Sequence, residues 1–447
     1  MLVPPAGAKM RLLHNTFSPA YRAPFGKVYA SGFTTPAWLQ GAVVYEIFGD
    51  RFHLKSLGVD AIWLTPIFKA RSNHRYDTDD YLQVDPALGG DAAFAGLDTL
   101  PQLDDSNAAV RDFVYRGSDS VVRHWTARGA DGWRLDAARE LGHGWWTDFR
   151  NAVKSYAADA PLIGEVTAGP VDAGQYLLGT EFDGVTNYRF RQAAIGFARL
   201  TRWTDSSGDV PALRPSQLDH ALRAVREDYP PQAAAVSFNL VDSHDTNRAL
   251  YALTEPGDTF QVATERQQLV ALLQFTSFGA PMVYYGDEAG IDAPGRSGFG
   301  DPYNRAPYPW RDASGNVDTY GPPADYMLSY YTRLGALRRS LPALRTGSVV
   351  PLFTGDTNSV RSDNDVYAFA RVAAPNKPVI VVLNKGSGGE AARRFPCAGC
   401  IRTGQVSRRL QKASSCRSET ERPSSPPRRA AASCSSRASG THGRREV

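Results

Sequence analysis

Cysteine is absent from the first 396 residues of this 447-residue chain; all four, Cys397, Cys400, Cys416 and Cys434, fall in the C-terminal tail. The body therefore carries no disulfide framework, and cysteine usage does not identify its compartment. The opening MLVPPAGAKM has no apolar signal core, and no run approaches transmembrane length. A cytoplasmic location is the default expectation, with no membrane partner. Excess basic charge is missing too. The net charge of +4 comes from the tail, where 11 Arg and Lys face three Glu, leaving about −4 for residues 1–396. The body has no nucleic-acid footprint. CAGC (397–400) is not followed by a second CxxC, so no metal site is expected.

What is present describes a globular protein: 42% hydrophobic, 21% charged, and long enough for two domains. Residues 1–40 are rich in Pro, Gly and aromatics and read as the remnant of an N-terminal β-domain or linker. From 41 to 340, β-rich runs alternate with amphipathic stretches such as AAVRDFVYRGSDSVVRHWTARG (108–129), read as helix. The runs are AVVYEIF (42–48), AIWLTPI (61–67), GWRLDA (132–137), LIGEVT (162–167), EFDGVTN (181–187), AVSFNLVDSHD (235–245) and PMVYYGDE (281–288). This α/β alternation predicts a parallel sheet closed as a β/α (TIM) barrel. A complete barrel needs eight strands, and seven runs are found. TGSVVPLF, VYAFARV and KPVIVVLNK predict a C-terminal antiparallel β-domain over 341–395. Residues 396–447 turn abruptly into an Arg-, Ser- and Pro-rich tail for which disorder is expected. A shifted reading frame would produce such a change.

The chemistry starts with GWRLDA. Side chains alternate along a strand, so Arg134 and Asp136 point the same way, at the barrel rim where active sites sit. A structural ion pair is the competing reading. GEV places Glu165 at the next rim, and VDSHDT places His244 and Asp245 at another. Three carboxylates converging on one mouth repel one another and suit chemistry better than packing. Two carboxyls across a sugar bond perform retaining glycoside hydrolysis: one attacks the anomeric carbon, and the other, kept protonated by its neighbours, protonates the leaving oxygen. His244 could otherwise be a satisfied core imidazole. Trp133, Trp145 and Trp146 are explained by packing as well as by a sugar groove.

GWRLDA, GEV and SHD, in this order and spacing, resemble the α-amylase family of glycoside hydrolases. SNHRYDTDDY (72–81), GAPMVYYGDEAG (279–290), DPYNRAPYPW (301–310) and LPQL (100–103) extend the resemblance over about residues 40–385. LPQL leans towards the neopullulanase and cyclomaltodextrinase branch, whose loop reads MPKL. The resemblance implies Asp136 as nucleophile, Glu165 as general acid/base and Asp245 as transition-state stabiliser. It implies Arg134, His244, Tyr76 and Asp77 as substrate-binding residues and an α-glucan oligosaccharide as substrate. His74, before YDTDDY, is in the wrong loop for the family's Asn-His pair. No cofactor is implied. Transglycosylation or isomerisation of α-glucosides on the same set, and glucan binding without turnover, are the alternatives.

One family motif is missing. Its third strand carries an Asp followed four and five residues later by Asn-His, then an excursion that walls the cleft and often binds calcium. In this chain FAGLDTLPQL (94–103) runs directly from the second helix into the far side of that excursion, so it reads as a join. DRFHLKSLGVD (50–60) reads as a second join, lacking most of the first helix. The usual calcium ligands go with the excursion. The remaining N-terminal stretch is too short for the β-domain through which many neopullulanase-like enzymes pair. Impaired activity is the expectation.

Overall fold

The computed structural model describes residues 33–47, 58–70, 75, 77–85, 105–167, 170–205, 208–292, 304–309, 324–354, 365–386 and 400–403. All lie in one compact unit, Met1–Ser407; a second unit, Arg408–Val447, contains none of them. Both sequence joins, LPQL, Tyr76 and His74 fall outside the described residues, apart from Gly58–Asp60 at the end of the first join.

Among the described residues, seven short parallel strands build the barrel: β1 (Val44–Ile47), β2 (Ala61–Leu64), then, after a hairpin of β3 (Phe68–Ala70) and β4 (Thr78–Val84), β5 (Trp133–Leu135), β6 (Leu162–Gly164) and β7 (Gly184–Val185). A second hairpin, β8 (Trp203–Asp205) and β9 (Gly208–Val210), precedes β10 (Phe238–Leu240) and β11 (Ala280–Tyr284). Six of these strands fall inside runs read from the sequence, and β11 overlaps the seventh, starting one residue before it. β1 pairs in parallel with β2 and β11, and β11 with β10. A parallel bridge from Thr186 to Phe238 joins β10 to β7, and β7 continues through β6 to β5. The order around the barrel is therefore β2-β1-β11-β10-β7-β6-β5. Among the described residues nothing pairs between β2 and β5, where the third strand would stand.

Burial follows that order. β1, β6, β10 and β11 are buried at every position, as expected of strands covered on both faces. β2 is not: Ile62 is 48% and Leu64 43% exposed. A cavity of about 800 Å³ opens along the seam, lined by Ile62, Leu64, Phe68, Trp125, Trp133 and Pro161 among others.

Close packing sets the strand ends that carry the rim. A Cβ on Gly164, directly before Glu165, would lie 2.3 Å from the Phe182 ring. Asp183 is fully buried and takes Leu162 N (2.9 Å), Arg150 Nη1 (3.0 Å) and Lys154 Nζ (2.8 Å), tying β6 to the helix His143–Tyr156. Trp145 and Trp146 on that helix are buried against Tyr115, Phe149 and Phe182, which accounts for both by packing. The stretch 108–129 is not one helix. It breaks at Gly117, and Ser120 caps a new helix, Val121–Ala127, by accepting from Arg123 N. Phe33 and Leu39, from the span read as an N-terminal remnant, are buried in the barrel's own apolar clusters.

β12 (Ser348–Thr354), β13 (Val366–Val372) and β14 (Val379–Asn384) form the antiparallel C-terminal sheet. β15 (Cys400–Thr403) adds a strand parallel to β14, inside the span for which the composition predicted disorder. Four residues (CIRT) in a polar tail carry too little period to mark a strand. The sheet is fixed to the barrel by arginine. Arg371 of β13 is fully buried and donates to Thr276 O (2.6 Å), Ser277 O (2.7 Å) and Gly347 O (2.9 Å). Its charge meets the C-terminal carbonyls of the helix Phe260–Thr276, the favourable end for a cation. That helix is buried nearly all round because it lies between barrel and sheet.

Candidate active site

The rim of β5 turns sharply. Ala137 has φ 41, a left-handed conformation that costs a non-glycine residue about 1 kcal/mol. The turn aims Ala137 N at Glu165 Oε2, 3.0 Å away. Arg134, in the middle of β5, forks across both acids: Nη1 bonds Asp136 Oδ1, and Nη2 lies 3.1 Å from Glu165 Oε2. Tyr188 donates to Glu165 Oε1 at 3.0 Å. Its phenol is buried, and burial with the neighbouring Glu165 raises its pKa, so it stays a donor. The Asp136 side chain is 44% exposed, whereas Glu165 is buried.

His244 and Asp245 follow β10 in a tight turn in which Asp245 N donates to Ser243 Oγ at 3.1 Å and Ser243 N to Thr246 Oγ1 at 2.9 Å. The His244 carbonyl accepts from Asn304 Nδ2 (2.5 Å) and Arg305 Nε (3.0 Å). Arg305 Nη2 also lies 3.3 Å from Asp245 Oδ1. The imidazole is fully buried between two carboxylates, with Nδ1 2.5 Å from Glu46 Oε1 and Nε2 2.9 Å from Asp245 Oδ2. Burial alone would lower its pKa; Glu46 and Asp245 outweigh burial and push it up to about 9. Burial works to raise Asp245, and His244, Arg134 and Arg305 hold it below the ordinary carboxyl value. Trp63 of β2 packs edge-on to His244 at 5.8 Å and lies under the Arg134 guanidinium at 4.6 Å.

Asp136, Glu165, Arg134, His244 and Asp245 thus meet in one mouth, drawn from β5, β6 and β10. Asp136, His244 and Asp245 each present one ligand atom within 4.8 Å of the others. Both ring nitrogens of His244 already face carboxylates, so the grouping is a hydrogen-bonded chain in which the imidazole has no lone pair left for a cation. Asp77 lies immediately before β4, beside the buried Arg75–Asp85 pair (2.9 Å). Sequence reasoning missed Glu46, Tyr188, Trp63 and Arg305. Of these only Arg305 had a signal, its place in DPYNRAPYPW.

A family model described as "Alpha amylase, catalytic domain" matches residues 52–99 and 93–316. The two pieces overlap at 93–99, which all but coincides with the start of the stretch (94–103) that reads as a join. Neopullulanase 2 of Thermoactinomyces vulgaris is 29% identical, the match covering 82% of this chain and 73% of that protein. That alignment runs over 473 positions, more than the 447 residues available, so this chain lacks stretches the relative has. A cyclomaltodextrinase of Bacillus sp is 28% identical over 84% of this chain and 77% of its own length. Among solved structures, the native debranching enzyme of Nostoc punctiforme superposes with a TM-score of 0.64 at 26% identity, covering 79% of this chain and 89% of that one. A cyclomaltodextrinase structure gives 0.62 at 27% identity, over 79% and 71%.

Proposed function

Because this chain belongs to the α-amylase family, we propose that it is a retaining glycoside hydrolase of α-glucosidic bonds in maltodextrin-type glucans. The observation that carries the reading is the Arg134 fork, which holds Asp136 and Glu165 side by side at one rim with Asp245 across from them. The Asp136 carboxylate attacks the anomeric carbon as the bond to the leaving oxygen breaks, and Glu165 gives that oxygen its proton. Glu165, now ionised, takes a proton from water, which attacks the glycosyl-Asp136 ester and returns the sugar with its α configuration. Asp245 binds the sugar hydroxyls and stabilises the oxocarbenium-like transition state; His244 hydrogen-bonds the same ring. Tyr76 stacks on the face of that sugar, and Asp77 binds it too. The catalytic barrel spans residues 41–340, and the β-domain runs from 341 through the last strand at Thr403. The partner is an α-glucan oligosaccharide. No described helix is long and apolar enough to cross a membrane.

The open seam supports a second element of the reading, a slow rate. Arg134 stands on β5 and Asp136 directly follows it, and the outer edge of β5 has no described strand beside it. A misplacement of about 1 Å costs on the order of 100-fold. The test is incubation with maltotriose beside an Asp136→Asn control, with the anomeric protons followed by NMR. α-Anomeric product from the unsubstituted chain alone is expected. First-formed β-product, or equal turnover by the control, overturns the assignment.

A further inference from the structure

We infer that Glu46 is a positioning residue for this reaction: it holds the His244 ring protonated at both nitrogens and directed at Asp245. The inference rests on the glycosidase reading of the site but is tested apart from it.

Glu46 sits in the middle of β1, paired with Tyr284 of β11 on one edge and Trp63 of β2 on the other. Its backbone is fixed on both sides, and its side chain is fully buried in the barrel interior. Oε1 lies 2.5 Å from His244 Nδ1 and accepts from His244 N at 3.4 Å. Oε2 is buried without a hydrogen-bond partner. A carboxylate so placed is costly, and such exceptions call for a role. The role follows from donor counting. Ionised carboxylates only accept, and His244 faces one at each nitrogen. A neutral ring has one N–H, so its other nitrogen would direct a lone pair at an anion. With Glu46 and Asp245 both ionised, only the imidazolium satisfies both contacts; burial raises the Glu46 carboxyl, and His244 and Arg134 act against that rise.

The surroundings favour that state. Glu46 from β1 and Asp245 from the same turn are the anions at the ring. Arg134 from β5 lies over the Trp63 ring at 4.6 Å and is a cation that acts to lower both Glu46 and Asp245. Arg305 takes the His244 carbonyl and Asp245 Oδ1. Tyr284 of β11 and Tyr285 directly after it neighbour Glu46 as phenols, which burial keeps neutral. With the ring charged, Asp245 has Oδ2 on His244 and Oδ1 near Arg305, so its plane is fixed where the sugar hydroxyls must arrive. Without the Glu46 charge, the imidazolium loses its nearest anion, and the Asp245 contact weakens at alkaline pH.

The full chain, labelled with 15N at histidine, is titrated by NMR between about pH 5 and pH 10, with His244→Gln assigning the resonance. The unsubstituted protein should show both His244 nitrogens protonated at neutral pH and a midpoint near 9. Glu46→Gln, which keeps the shape but not the charge, should move the midpoint down at least one pH unit, tenfold in proton affinity. Glu46→Asp should recover part of that shift. Where turnover is measurable, the alkaline limb of kcat/KM should move with the midpoint while the acid limb stays. A neutral His244 at pH 7 in the unsubstituted protein overturns the inference, whether or not Glu46→Gln folds; so does an unchanged midpoint in that variant. Absence of hydrolysis in the unsubstituted chain counts against the glycosidase reading and leaves the titration to decide the role of Glu46.

Discussion

On one side of the barrel, β1, β11, β10 and β6 are buried at every position; on the other, β2 shows Ile62 and Leu64 to solvent and β5 is half-buried throughout. The difference is not in the sequence of the strands, since AIWL on β2 is as apolar as VYEI on β1. It lies in what stands beside them. A strand in a closed parallel barrel is covered on both faces because both edges have neighbours that carry helices. β2 and β5 have a described neighbour on one edge each. The proposed catalytic groups straddle this division. Glu46, Glu165, His244 and Asp245 belong to paired strands or the turns after them, whereas Arg134 projects from the seam strand and Asp136 directly follows it. The proposed acid, Glu165, and the proposed stabilising groups are thus held by the closed side, and the proposed nucleophile, Asp136, is held by Arg134.

The sharpest way to break this comparison is to remove the same kind of side chain on each side. Met282→Ala on β11, where the side chain is fully buried, should cost about 3 kcal/mol. Ile62→Ala on β2 should cost less than about 1 kcal/mol, because its side chain already meets solvent. Urea unfolding of the two variants measures the difference; equal costs would mean that the seam is covered.

A smaller effect concerns acid. Glu255 on the closed side takes Leu200 N (3.1 Å), Thr201 N (2.8 Å) and Arg266 Nη2 (3.0 Å). Burial works to raise its carboxyl, and these contacts with the Thr201 hydroxyl outweigh it, lowering the pKa. A depressed folded pKa adds stability that is present above the unfolded value, about 4.3, and is lost as pH falls through the folded one. Glu255→Gln should therefore be less stable than the parent at pH 7, and the two should converge at low pH. A gap that persists at the acid end would assign the effect to shape rather than charge.

The sequence was most legible where local pattern and tertiary role coincide. Each barrel strand lies within a β-rich run, β11 starting one residue early, and the residues between Tyr81 and LPQL where a third strand is expected to be missing lie largely outside the described ones. The rim acids were legible because each closes a strand in a short recognisable motif. Glu46 and Tyr188 were not. A Glu inside VVYEIF looks like ordinary alternation, and Tyr188 like the start of a helix; only the register of β1 against β11 and the fold of that helix under β6 bring them to His244 and Glu165. The break at Gly117 shows the same limit, because the apolar period of 108–129 continues across a turn that Ser120 caps. The strand Cys400–Thr403 is fixed by pairing with β14, which no local pattern in CIRT predicts.

The most direct test of an assembled site on a barrel with no described strand between β2 and β5 is the rate on maltotriose, set beside the cyclomaltodextrinase of Bacillus sp under the same conditions. The account predicts α-product at a kcat/KM lower by at least about 100-fold, abolished by Asp136→Asn. A rate equal to that of the relative would contradict it, because Asp136 would then be held as firmly at the seam as in a complete barrel.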